Sequence, residues 1–200
     1  MPARNRDLHG NVPDTATAAL LIIDVINDLE FPGGELLARY VMPMARSILG
    51  LKQRAKAAGI PTIYVNDNFG RWQSDLSKLL AHCLEPGVRG RAMVELLRPE
   101  EDDYFVLKPK HSAFYSTTLD TLLDYLGART LILTGLAGNI CLLFSANDAY
   151  MRDFQLYVPA DCTVSNERED NEHALALMGS VLKADTTVSD RLDLARLGLA

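Results

Sequence analysis

The sequence predicts an α/β protein: a single three-layer α/β/α domain, Rossmann-like, with a mainly parallel sheet of about six strands. Two observations carry this. Short, uninterrupted apolar or β-branched runs recur at Ala19–Ile23, Thr62–Val65, Tyr104–Leu107 and Thr130–Thr134, as expected of strands buried on both faces, and Gln155–Pro159 reads as a fifth strand. Helical patterns separate them, with no internal repeat and no low-complexity linker, so strand and helix alternate as in right-handed βαβ crossovers.

In chain order, the polar stretch 1–18 reads as an arm. Ala19–Ile23 is the first strand and ends at Asp24. Ala45, Ile48, Leu49, Lys52 and Ala55 mark a helix over Met42–Ala58, with Gly59 at its C′ position and Pro61 blocking continuation. Thr62–Val65 opens into the loop Asn66–Trp72. Ser74 is the expected cap of a helix running to about Cys83. Residues 84–103 contain Pro86, Gly87, Gly90, Pro99 and the acidic run Glu100–Asp103, and read as a long surface excursion. Tyr104–Leu107 delivers Lys108. A helix from Thr118 to Leu126 closes at Gly127, and Glu167–Gly179 forms another. Val181–Ala184 is expected as a sixth strand or its approach. The domain is placed at 19–186, with 187–200 as a tail or oligomer contact.

Composition sets the class. Of 200 residues, 48% are hydrophobic and 23% charged, with a net charge of −6 from scattered acids. That suits one soluble domain and argues against a nucleic-acid or anionic-membrane partner. No apolar run approaches the roughly 20 residues of a membrane helix, and the first residues lack a signal-peptide core. Three cysteines, Cys83, Cys141 and Cys162, without a CxxC pair, point to a reducing cytoplasm and to no zinc site.

Chemistry converges on three strand ends. Asp24 follows the first apolar run, Lys108 the third, and Cys141 stands beyond the fourth, after the break Gly135-Leu136-Ala137-Gly138-Asn139. From Cys141 onward, Leu142, Ala146 and Ala149 repeat at helical spacing, so the thiol sits at a helix N-terminus over the carboxyl edge of the sheet. All strand ends of a parallel sheet face one way, so the three side chains can meet. A carboxylate to take the thiol proton, an ammonium to balance charge and a sulfur nucleophile form a coherent set.

The segments ALLIIDVINDLEFPGG, FVLKPKHSAFYSTTLDTLL and LILTGLAGNICLLFSANDAY resemble, in the same order, the isochorismatase-like cysteine hydrolases, a family that includes nicotinamidases and N-carbamoylsarcosine amidohydrolase. The resemblance spans about 19–185. It implies Asp24, Lys108 and Cys141 as catalytic residues, a cis peptide between Leu136 and Ala137, and an oxyanion hole built from the Ala137 and Cys141 N–H groups. It implies hydrolysis of a C–N, amide-type bond of a small molecule through a thioester, and assembly as a homodimer or homotetramer. Two alternatives share the fold: an isochorismatase-type vinyl ether hydrolase that depends on Asp24 alone, and a catalytically silent binding protein. Nicotinamidases carry a metal-binding Asp-x-His after the second strand, where this chain has Asn66-Asp67-Asn68, so no metal or other cofactor is expected and nicotinamide is disfavoured as substrate.

Phe31, Asn68, Trp72, Phe114 and Tyr115 lie in loops on the same edge and are expected to wall the pocket. Arg71, Arg89 and Arg91 read as surface or subunit-contact residues. His111 reads as a solvated loop histidine, Cys83 and Cys162 as packing residues.

Overall fold

A computed structural model of the chain describes residues 15–70 and 73–198. Its six-stranded sheet runs β3-β2-β1-β4-β5, with a short β6 beside β4. The strands are β1 (Ala18–Ile23), β2 (Thr62–Asp67), β3 (Tyr104–Lys108), β4 (Thr130–Leu136), β5 (Gln155–Tyr157) and β6 (Thr163–Val164). Every pairing is parallel. The helices are α1 (Gly34–Leu37), α2 (Val41–Ala57), α3 (Leu76–Cys83), α4 (Arg91–Leu96), α5 (Leu119–Leu126), α6 (Leu143–Tyr150), α7 (Arg168–Ser180) and α8 (Leu194–Gly198). No helix among the described residues is long and apolar enough to cross a membrane.

The sheet separates two cores, and β1 feeds both. Ala18, Leu20 and Ile22 join the core formed with α2, while Ala19, Leu21 and Ile23 join the core formed with α5, α6 and α7. All six β1 residues are buried, which is why its sequence reads as a continuous apolar run rather than an alternation. Strand β1 lies between β2 and β4. The chain winds from β1 through β2 to β3 on one side, then returns to lay β4 and β5 on the other. The crevice between β1 and β4 is therefore the topological switch point, where open α/β sheets bind ligands.

Several expectations are corrected. The sixth strand is Thr163–Val164; α7 continues to Ser180, and residues 181–184 lead to an isolated bridge between Asp185 and Tyr157. Helix α3 is capped by Asp75, whose carboxylate accepts from the Lys78 N–H at 2.9 Å, rather than by Ser74. The excursion 84–103 contains α4, and Met93, Val94 and Leu97 are buried in the first core. Its acidic run is paired: Asp103 meets Lys52 at 2.5 Å, and Glu100 and Asp102 meet Lys56 at 2.9 and 2.8 Å. The expected tail packs back, with Leu192 and Leu194 buried against the α2 side. At the other end, β1 begins at Ala18 and Ala16 is buried; residues 1–14 of the expected arm lie outside the described residues.

One glycine is set by the fold itself. Gly135, paired with Ile23 across β1 and β4, has φ of 114°, and a Cβ there would stand 2.0 Å from the Ile23 carbonyl oxygen. Both the left-handed backbone and the close approach require glycine. Gly135→Ala is expected to cost about 3 kcal/mol or more, read as a lowered urea midpoint with unchanged m-value.

Candidate active site

Each member of the predicted trio stands where its strand ends. Asp24 follows Ile23 with φ of 56°, a strained conformation that turns the chain sharply off the sheet. Its backbone N–H still donates to the Val65 carbonyl at 2.9 Å. Lys108 is the last residue of β3 and fully buried. Its Nζ lies 2.8 Å from Asp24 Oδ2, 3.6 Å from Cys141 Sγ and 3.8 Å from Asp67 Oδ2. The Lys110 carbonyl accepts a further bond from it at 3.1 Å. The other Asp24 oxygen, Oδ1, accepts from the Asp67 N–H at 2.7 Å. The carboxylate and the ammonium are thus buried, paired and hydrogen-bonded, as two charges withdrawn from water must be.

Cys141 is held by an unusual turn. After the Leu136–Ala137 peptide, which is cis, residues Gly138–Leu142 form one π-helical turn that runs into α6. The Ala137 carbonyl accepts from Ile140 and Leu142, the residues flanking Cys141. Such π turns inside helices recur at functional sites. A polar clamp from the neighbouring elements holds the turn. The Asn139 N–H donates to Ser165 Oγ at 3.0 Å; Ser165 Oγ donates to Asn171 Oδ1 at 3.2 Å; Asn171 Nδ2 donates to the Thr163 carbonyl at 3.2 Å. Gly138 leaves the room for this clamp, since a Cβ on it would lie 2.1 Å from Asn171 Oδ1.

Electrostatics decide where the protons rest. Burial raises the Asp24 carboxyl above the ordinary aspartate value, with Lys108 countering in part. Burial also opposes the Lys108 ammonium, but Asp24 and the Cys141 sulfur more than offset it, so its pKa stands above that of ordinary lysine. The Cys141 thiol is pushed up to about 12, first by burial and then by the Asp24 carboxylate, with Lys108 working the other way. The thiol therefore keeps its proton at rest, next to a carboxylate whose own affinity for a proton is raised.

The expected pocket residues divide. Phe31 and Tyr115 are exposed at the edge, Tyr115 at 58%. Asn68 is buried and accepts from the Gly70 N–H at 2.9 Å, so it shapes its loop. Phe114 is 3% exposed and packs against Phe154 and under the Arg152 guanidinium; it anchors the loop after β3 rather than walling a pocket. Trp72 and Arg71 lie outside the described residues. Arg89 donates to the Leu29 carbonyl and pairs with Glu30, and Arg91 pairs with Glu95, so both serve structure. A separate open cleft, not lined by the trio, is bounded by Asp28, Phe69, Lys78, Leu79 and His82, with Asp28 and His82 in contact at 2.8 Å.

Sequence reasoning missed the clamp residues Ser165 and Asn171, while His111 is the exposed loop histidine it expected. The imidazole Nδ1 lies 3.8 Å from Cys141 Sγ, and the ring rests against Phe144 with centroids 5.6 Å apart.

A carboxylate, an ammonium and a thiol thus gather at the carboxyl edge of a parallel α/β sheet. The isochorismatase domain model matches residues 18–189, and the chain belongs to that family of hydrolases. It is 46% identical over 177 residues to the uncharacterized isochorismatase family protein YaaI of Bacillus subtilis, covering 88% of this chain and 97% of that one. It is 31% identical over 175 residues to the ureidoacrylate amidohydrolase of Methylobacterium radiotolerans, covering 75% and 68%. The crystal structure of an isochorismatase family protein from Desulfovibrio vulgaris superposes with a TM-score of 0.72 at 26% identity, covering 90% and 97%.

Two outcomes follow from the buried pair. Lys108→Met leaves Asp24 uncompensated and is expected to lower stability by about 3–5 kcal/mol, measured by chemical denaturation at neutral pH. Asp24→Asn removes the negative charge that helps hold the proton on sulfur, so the Cys141 pKa is expected to fall below about 12. The pH profile of Cys141 alkylation should then shift to lower pH relative to wild type; an unshifted profile contradicts this coupling.

Proposed function

We propose that this protein is a cysteine amidohydrolase that cleaves the C–N bond of a small amide or ureido compound through a thioester on Cys141. The observation that carries the reading is the approach of one ammonium, Lys108 Nζ, to both Asp24 Oδ2 and Cys141 Sγ, at 2.8 and 3.6 Å. The ureidoacrylate amidohydrolase relatives support an amide-type bond and place ureido compounds among the substrates to be tried.

In the proposed cycle the substrate carbonyl enters above the sulfur, its oxygen directed to the Ala137 and Cys141 N–H groups. Asp24 takes the thiol proton as the S–C bond forms, and the raised proton affinity of its carboxyl suits this role. The C–N bond then breaks, and the amine leaves with the proton that Asp24 carried. Water, deprotonated by the same carboxylate, adds to the thioester; the C–S bond breaks, the acid departs and the proton returns to sulfur. Lys108 stays protonated throughout. It steadies the Asp24 carboxylate at rest and the thiolate as it forms, so its role is charge balance.

A second reading draws on the thiol itself. A sulfur whose pKa is pushed up to about 12 is a poor nucleophile at rest, and an Asp24-dependent, cysteine-independent hydrolysis of a vinyl ether would use the same carboxylate alone. Cys141→Ala separates the two. Under the amidohydrolase reading it lowers kcat/KM for ammonia release from a panel of small amides and ureido compounds by at least about 10³-fold, and Asp24→Asn lowers it by about 10²–10⁴-fold. Retained turnover in Cys141→Ala with loss in Asp24→Asn would select the second reading.

A further inference from the structure

We propose that His111 is a specificity-determining residue of the site: its Nδ1 accepts a hydrogen bond from the N–H of the scissile amide and so selects amides over the corresponding esters. The inference rests on the amidohydrolase reading for the identity of the nitrogen, but its geometric basis is separate. The imidazole nitrogen is 3.8 Å from the sulfur that is to be acylated, whereas Asp24 and Lys108 are buried at 4% and 0% exposure. The sulfur therefore has a buried carboxylate and ammonium on one side and an imidazole at the exposed mouth.

The backbone beside the ring is tied to the nucleophile's own helix. Ser112 bonds to Asp148, the Ala113 N–H donates to Ser145 Oγ at 2.9 Å, and Ser145 Oγ donates to the Cys141 carbonyl at 2.6 Å. The Lys110 carbonyl takes a bond from Lys108 Nζ, and the His111 ring leans on Phe144 of α6. The loop carrying His111 and the turn carrying Cys141 are thus tied together on both sides of His111, which keeps the exposed imidazole within reach of the sulfur.

A carbonyl carbon bonded to Sγ carries three further groups: the oxygen, the acyl chain and the nitrogen. The oxygen is spoken for by backbone N–H groups, and the nitrogen must leave toward the mouth. It then lies between the carboxyl that gives it a proton and the imidazole that accepts from a hydrogen it already bears. His111 forms and breaks no covalent bond and moves no proton in this scheme.

The test uses a matched pair of thiol reagents, iodoacetamide, which has an amide N–H, and methyl iodoacetate, which has none. Alkylation rates at Cys141 are followed by peptide mass spectrometry in wild type, His111→Phe and His111→Gln. His111→Phe keeps an aromatic ring against Phe144 but removes the acceptor. One neutral hydrogen bond corresponds to about three- to tenfold in rate, so His111→Phe is expected to lose that factor for iodoacetamide while reacting with methyl iodoacetate as wild type does, and His111→Gln should recover part of it. Equal slowing with both reagents, or no slowing with either, overturns the proposal. The amidohydrolase reading fails by a different result, hydrolysis that survives in Cys141→Ala, and the reagent comparison stands whether or not it does.

Discussion

The buried contact between Asp24 and Lys108 is the constraint around which the rest of the molecule is arranged. Two opposite charges lie 2.8 Å apart at nearly zero exposure, and withdrawing them from water costs several kcal/mol per ion unless pairing and hydrogen bonds offset it. The offset comes from the sheet. Strand β2 lies between the strands that carry the pair, and its last residue supplies the Asp67 N–H to Asp24 and a carboxylate 3.8 Å from Lys108. Strand β4, on the other side of β1, leads into the turn that sets the sulfur against the ammonium. An apolar pair in those places would be easier to bury, so the arrangement makes chemical sense where proton transfer is needed.

The same burial determines the resting state. A thiol at a helix N-terminus beside a lysine would be expected to ionise readily, yet desolvation and the Asp24 carboxylate together outweigh those influences and hold the proton on sulfur. Asp24 is held above its ordinary value by the same desolvation. The proton thus rests on sulfur, beside a carboxylate whose own affinity for it is raised. In the proposed cycle the sulfur gives up its proton only as a substrate carbonyl arrives to take its electrons.

Much of this was legible in the chain before any fold was drawn. Uninterrupted apolar runs marked the central strands β1 and β4, because strands buried on both faces leave no polar position to blur the signal. Asp24, Lys108 and Cys141 stood out as reactive residues at the ends of such runs. Less visible were features that depend on distant partners. The two-residue strand Thr163–Val164 is too short to show a pattern. Helix α4 was masked by Pro86, Gly87 and Gly90, although Met93, Val94 and Leu97 already carried an apolar i, i+1, i+4 spacing. Ser165 and Asn171 reach the nucleophile turn only through hydrogen bonds that span the fold. His111 lies in a loop without periodicity, and the ties of that loop to α6 and to Lys108 bring it to the sulfur.

In the proposed cycle Cys141 carries the acyl group between the two halves of the reaction. The direct measurement is intact-protein and peptide mass spectrometry of acid-quenched samples taken during turnover of a small amide. A mass increase equal to the acyl group, located on the Cys141 peptide and arising together with a burst of released amine, is the predicted result. Full turnover with an unmodified Cys141 peptide at every time point and no amine burst would contradict it.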